Sequence, residues 1–108
     1  MIEVIEKLKK VLEEKFAKDI VILDISKVSI LGDYFIIATG KNENQIKAMG
    51  DAASEYLEKQ NITLKHNEGV NYNGWYLLDF GDVILHLFDE ESREFYKIER
   101  IWADALVI

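Results

Sequence analysis

The chain has 108 residues, enough for one domain (1–108) with a core of its own and too few for two. A formal net charge of −7 sets it against phosphate backbones, which argues against broad nucleic-acid binding and favours a basic protein partner. With no Cys and no Pro there is neither a disulfide framework nor a thiolate metal site. The N-terminus alternates charged and apolar residues and lacks the pattern of a signal peptide. No apolar run approaches the ~20 residues of a membrane span, so a cytoplasmic location is expected.

Val4, Ile5, Leu8, Val11, Leu12 and Phe16 recur at steps of three and four, predicting an amphipathic first helix. Ile20 to Ile25 and Tyr34 to Thr39 read as two buried strands with a loop around Gly32-Asp33 between them. Lys41 to Asn44 offers cap candidates, and Ile46, Met49, Ala53, Tyr56 and Leu57 keep helical spacing, so a second helix spans roughly Asn44 to Gln60 and stops at Asn61. Leu64 to Tyr72 is weakly strand-like. Asn73-Gly74 is the strongest short hairpin signal, leading into strands Trp75 to Phe80 and Val83 to Phe88. Asp89 can cap a last helix whose apolar positions are Phe95, Ile98, Ile101, Trp102 and Ala105, with Glu90 and Glu91 in the dipole-favoured first turn. The order αββαβββα predicts an α/β (α+β) fold: a mixed five-stranded sheet with helices packed on it.

The two strands from Trp75 to Phe88 have unequal faces. If their turn is centred on Phe80-Gly81, Asp79 lies opposite Asp82, Leu77 opposite Ile84 and Trp75 opposite His86, all on one face. The other face is Tyr76, Leu78, Phe80, Val83, Leu85 and Leu87, an unbroken core. A face that mixes Trp, His and two carboxylates with apolar residues has the composition of a docking surface.

Other chemistry is poorly supported. Asp79, Asp82 and His86 invite a divalent-metal reading, but the spacing matches no dedicated motif, and Asp beside Gly81 is explained by turn geometry. Thr39-Gly40-Lys41-Asn42 before a helix resembles a phosphate-binding turn, yet the Gly-rich spacing is absent and an ordinary cap explains it. Ser92 has His86 six residues earlier but no group to orient that imidazole, and helix capping accounts for it. His66 sits in a polar segment with no role. Phe95 and Trp102 keep helical period and read as core.

The block Asp33-Tyr34-Phe35-Ile36-Ile37-Ala38-Thr39-Gly40, then Gln45, Glu68-Gly69, Trp75-x-Leu77-Leu78-Asp79-x-Gly81-Asp82-Val83-Ile84-x-His86-x-Phe88, Glu91-Ser92-Arg93-x-x-Tyr96 and Trp102, closely resembles the ribosomal silencing factor, or Iojap-like, family. The resemblance covers almost the whole chain, departing at Lys41-Asn42-Glu43 and between Asn61 and Asn73. It implies a non-enzymatic translational repressor without cofactor or metal. Such a factor binds the large ribosomal subunit through a basic ribosomal protein, uL-fourteen, and blocks joining of the small subunit, slowing protein synthesis under starvation. It also implies a role in late large-subunit assembly, homodimers when free, and a fold distantly similar to nucleotidyltransferases.

On this reading Trp75, Leu77, Ile84, His86 and Phe88 form an outward apolar patch, Asp79 and Asp82 pair with Lys or Arg of the partner, and Tyr96 borders the patch from the last helix. The alternative is a nucleotidyltransferase-like or metal-dependent enzyme using Asp79, Asp82 and His86.

Overall fold

The computed structural model describes residues 1–30, 32–68, 73–101 and 106–108. Helix α1 (Ile2–Glu14) turns Ile5, Leu8 and Leu12 inward. It ends in a left-handed Phe16 (φ 64°), where Phe16 N–H donates to Glu13 O and Ala17 N–H to Leu12 O, the paired bonds that close a helix C-terminus. Phe16, expected on the helix's apolar face, therefore lies past its end and is 80% exposed. Helix α2 (Glu43–Lys59) starts at Asn42, whose side chain accepts from Gln45 N–H at 2.9 Å, and stops as expected at a left-handed Asn61 (φ 62°).

Strands β1 (Lys18–Asp24) and β2 (Tyr34–Gly40) pair antiparallel, with an irregularity between Lys18 and Val21 where Asp19 takes φ 51°. Strands β3 (His66–Glu68), β4 (Trp75–Asp79) and β5 (Val83–Asp89) form the expected antiparallel meander, and β5 runs parallel to β2. All five expected strands are present. A two-residue β6 (Leu106–Val107) adds to the edge of β1 and gives the order β3-β4-β5-β2-β1-β6. The weak strand expected over Leu64 to Tyr72 is confined to β3, and 69–72 lie outside the described residues.

The expected last helix is two pieces. Helix α3 (Glu90–Tyr96) stops at Lys97, whose φ of 47° is left-handed, and α4 (Ile98–Ile101) starts in a new direction. Ile98 is buried, whereas Phe95, expected in the core, is 73% exposed. Trp102 and Ala105 lie outside the described residues.

The sheet separates two apolar clusters. On one face α1 and α2 cover Ile22, Ile36, Ala38, Leu78, Val83, Leu85 and Leu87, with Phe80 and Tyr76 packed alongside, as the sequence alternation requires. On the other face Leu23, Ile25, Phe35, Ile37, Ile84 and Phe88 cluster with Ile98 of α4, with Val21, Trp75 and Leu77 partly buried at the margin. Two long helices thus seal the first face, while short α3 and α4 pack on the second.

Candidate functional site

The site begins at the β4–β5 turn. Phe80 N–H donates to Val83 O at 2.8 Å, which makes Gly81 and Asp82 the two central residues. Gly81 takes φ 89° and Asp79 Oδ1 accepts its N–H at 2.7 Å. A primed turn with positive φ at its first central position calls for Gly there. Centring the turn on Phe80-Gly81 would force a Phe into that conformation. The pairing therefore slides from the expected one: Trp75 lies opposite Phe88, Leu77 opposite His86 and Asp79 opposite Ile84. A slide of two residues preserves side-chain parity, so Trp75, Leu77, Asp79, Ile84, His86 and Phe88 still share one face.

That face is not the open patch expected. Ile84, His86 and Phe88 are buried, His86 to 3% residual exposure. Their place in the middle of the sheet, between β4 and β2 and beneath Trp75 and Ile98, shields them. What remains accessible is the rim. Trp75, Leu77 and Asp79 are half-buried, Asp82 is exposed and Tyr96 is 38% exposed.

A run of rings links interior to surface. Trp75 stacks on Phe88 with ring centroids 5.2 Å apart and tilts against Tyr96 at 4.8 Å, and Tyr96 meets exposed Phe95 edge-on at 5.0 Å. Trp75 Nε1–H donates diagonally across the strands to His86 Nδ1 at 3.2 Å, while Phe35 meets the same imidazole edge-on at 4.7 Å. Burial pushes the His86 pKa down to about 4, so the ring is neutral near pH 7. Because Nδ1 accepts, the proton sits on Nε2, which is buried and has no partner among the described residues.

Local chemistry holds α3 in place beside this ridge. Asp89 Oδ1 caps the helix by accepting Ser92 N–H at 2.7 Å, the role the sequence assigns to it. Asp89 N–H donates to Gly74 O at 3.1 Å, and Gly74 takes φ 100° so close to the helix start that a side chain there would collide with Ser92 Oγ. Arg93, to which the sequence reading gave no role, donates from Nε to Glu99 Oε2 and from Nη1 to Thr39 Oγ1, both at 2.8 Å. It joins α3, α4 and the end of β2, fixing where Tyr96 and Phe95 stand. The partners are 6 and 54 residues away, and nothing in the local pattern marks them.

Acidic residues lie along the hairpin away from the aromatic ridge, toward the β4–β5 turn. Asp79 and Asp82 flank the turn, and Glu68 of β3 lies opposite Leu77 in register. His66 is exposed and pairs with Glu68 at 3.0 Å. Asp79, Asp82 and His86 do not converge: four residue steps, about 13 Å, separate Asp82 from His86, and the imidazole is buried. Among the described residues no three His, Asp or Glu side chains are placed to hold a metal ion. At the Thr39-Gly40-Lys41-Asn42 turn the cap reading holds, since Lys41 N–H donates to Gln45 Oε1 and Gln45 N–H to Asn42 Oδ1. A cleft of about 250 Å³ beside it is lined by Phe16, Lys18, Thr39, Lys41, Gln45 and Glu90, among others. Among the described residues no helix is long and apolar enough to cross a membrane.

Fold and site together define a small α+β protein: a mixed sheet sealed by two long helices on one face, with an aromatic ridge on the other. Residues 1–108 match the family model described as ribosomal silencing factor during starvation. The ribosomal silencing factor of Bacillus subtilis is 34% identical over 93 residues, which cover 86% of this chain and 79% of that one. The mouse mitochondrial assembly of ribosomal large subunit protein 1 is 30% identical over 105 residues, covering 91% of this chain and 44% of that protein. A crystal structure of a Chromobacterium violaceum protein superposes with a TM-score of 0.86 at 33% identity, covering 94% of this chain and 84% of the other. The chain belongs to the ribosomal silencing factor family. The named relatives are called after silencing and assembly of ribosomes, not after an enzymatic reaction.

Proposed function

We propose that this protein is a translational repressor of the cytoplasm that docks its aromatic ridge on a basic protein of the large ribosomal subunit, uL-fourteen, and occupies space the small subunit needs. Trp75, Leu77 and Tyr96 supply the apolar contact, and Asp79 and Asp82 face Lys or Arg of the partner. Ile84, His86 and Phe88 act from beneath, as the packed support that keeps Trp75 and Leu77 at the surface.

The observation that carries this reading is the run of accessible rings, Phe95, Tyr96 and Trp75, on a chain of net charge −7, with Asp79 and Asp82 farther along the same hairpin. Apolar area confers affinity, and charge complementarity confers association rate and register. The free protein pairs as a homodimer, and docking on the large subunit also lets it assist late assembly, for which the name of the mouse relative is the support.

Sedimentation with separated subunits tests the proposal. The protein should travel with large subunits and not with small ones, and added basic uL-fourteen should compete for it. Co-sedimentation with neither subunit would overturn the reading.

A further inference from the structure

We infer that His86 is a positioning residue for the docking surface: its neutral imidazole fixes the edge of the Trp75 indole that a partner meets. This rests on the docking reading above. The other contacts of Trp75, a 28° stack on Phe88 and a tilted contact with Tyr96, involve no polar atom and tolerate a flip of the indole about its Cβ–Cγ bond. The bond from Trp75 Nε1–H to His86 Nδ1 at 3.2 Å does not. It turns the one polar atom of the indole into the sheet, so the exposed remainder of the side chain is wholly apolar. The partner contact for Trp75 is then a hydrocarbon surface, such as the aliphatic stem of a Lys or Arg or a small apolar pocket, and not a hydrogen-bond acceptor.

His86 is costly as mere filler. It is buried to 3% exposure, and its Nε2–H has no acceptor among the described residues, whereas a Leu would pack there without orphaning a donor. Neighbouring Phe35 and Phe88 leave it no polar partner of their own side chains, so its hydrogen-bonding value on this face is the acceptor it offers Trp75.

The test uses the full chain with His86→Leu and His86→Asn, each alone and combined with Trp75→Phe, which keeps the stack and lacks the N–H. Asn retains an acceptor near the Nδ1 position. Affinity for large subunits is read by sedimentation, and the Trp75 indole N–H resonance, identified by its absence in Trp75→Phe, is read in ¹⁵N-labelled protein. His86→Leu should weaken binding about three- to tenfold, the size of one neutral hydrogen bond, and move the indole resonance. His86→Asn should restore most of both, and in the Trp75→Phe background His86→Leu should cost less than about twofold more.

An equal loss from His86→Leu in both backgrounds, or no loss in either, overturns the inference. If the Asn variant does not fold, the cycle with Leu and Phe still decides. Wild-type protein that fails to sediment with large subunits overturns the docking reading instead, which separates the two failures.

Discussion

Replacing Trp75 by Ala removes the centre of the ring cluster. The indole stacks on Phe88, leans on Tyr96 and donates to His86. Full burial would make the truncation worth about 3–5 kcal/mol, and a half-buried ring roughly half of that, near 2 kcal/mol. Leaving His86 Nδ1 unpaired in the interior adds about 1 kcal/mol. A total near 3 kcal/mol lowers the melting temperature by roughly 12–24 °C in a domain of this size, which still leaves it folded at 10 °C. Binding should fall further than stability explains. An interfacial Trp that anchors an apolar contact costs about 2 kcal/mol or more on truncation, so dissociation from the large subunit should quicken about thirtyfold, with the association rate changing little. The assay is release kinetics on immobilised large subunits at 10 °C, with circular dichroism confirming the fold. A folded Trp75→Ala protein released at the wild-type rate would refute the placement of Trp75 in the contact. A melting temperature lowered by less than about 5 °C would refute the packing role given to the ring.

Three further outcomes follow from particular contacts. Asp82 is exposed, so Asp82→Lys should leave the melting temperature within a few degrees of wild type, yet slow association with large subunits about fivefold in low salt and twofold or less at physiological ionic strength, measured by stopped flow. Arg93→Met leaves Glu99 and Thr39 Oγ1 without their donor, and should cost about 2–3 kcal/mol in urea unfolding. Burial lowers the His86 pKa from 6.5 to about 4, so between those values the unfolded chain binds more protons than the folded one. The His86 contribution to stability is complete above pH 6.5 and is lost as pH falls toward 4, on the order of 3 kcal/mol in all. Urea titrations should show that slope in wild-type protein and a shallower one in His86→Leu.

Much of the fold is legible in the chain because burial obeys the period of each element. Ile5, Leu8 and Leu12 mark the inner side of α1, and Asn42, Asn61 and Asp89 mark helix ends through their own side-chain or left-handed chemistry. The two faces of the β4–β5 hairpin are legible for the same reason. Parity survived the shift of the turn to Gly81-Asp82, so no strand side chain changed face, and Asp82, expected opposite Asp79, left the strand for the turn.

Parity does not say what covers a face, and there the sequence falls short. His86 and Phe88 sit in the middle of the sheet, under neighbours from distant segments such as Phe35 and Ile98. The break at Lys97 is equally hidden. Ile98 and Ile101 continue the helical spacing of Phe95, and a Lys in the left-handed region carries no composition signal. Consequently Phe95 reads as core and is found on the surface, where it extends the ridge that Trp75 and Tyr96 begin. The Arg93 to Thr39 bond spans 54 residues and has no local trace.

Reassociation of purified ribosomal subunits, followed by light scattering as the protein is added, addresses the steric claim most directly. Wild-type protein, premixed with large subunits, should suppress the scattering rise in proportion to occupancy, and Trp75→Ala and Asp82→Lys should suppress it less. Large subunits saturated with the protein that still join small subunits at full rate and extent would contradict that claim.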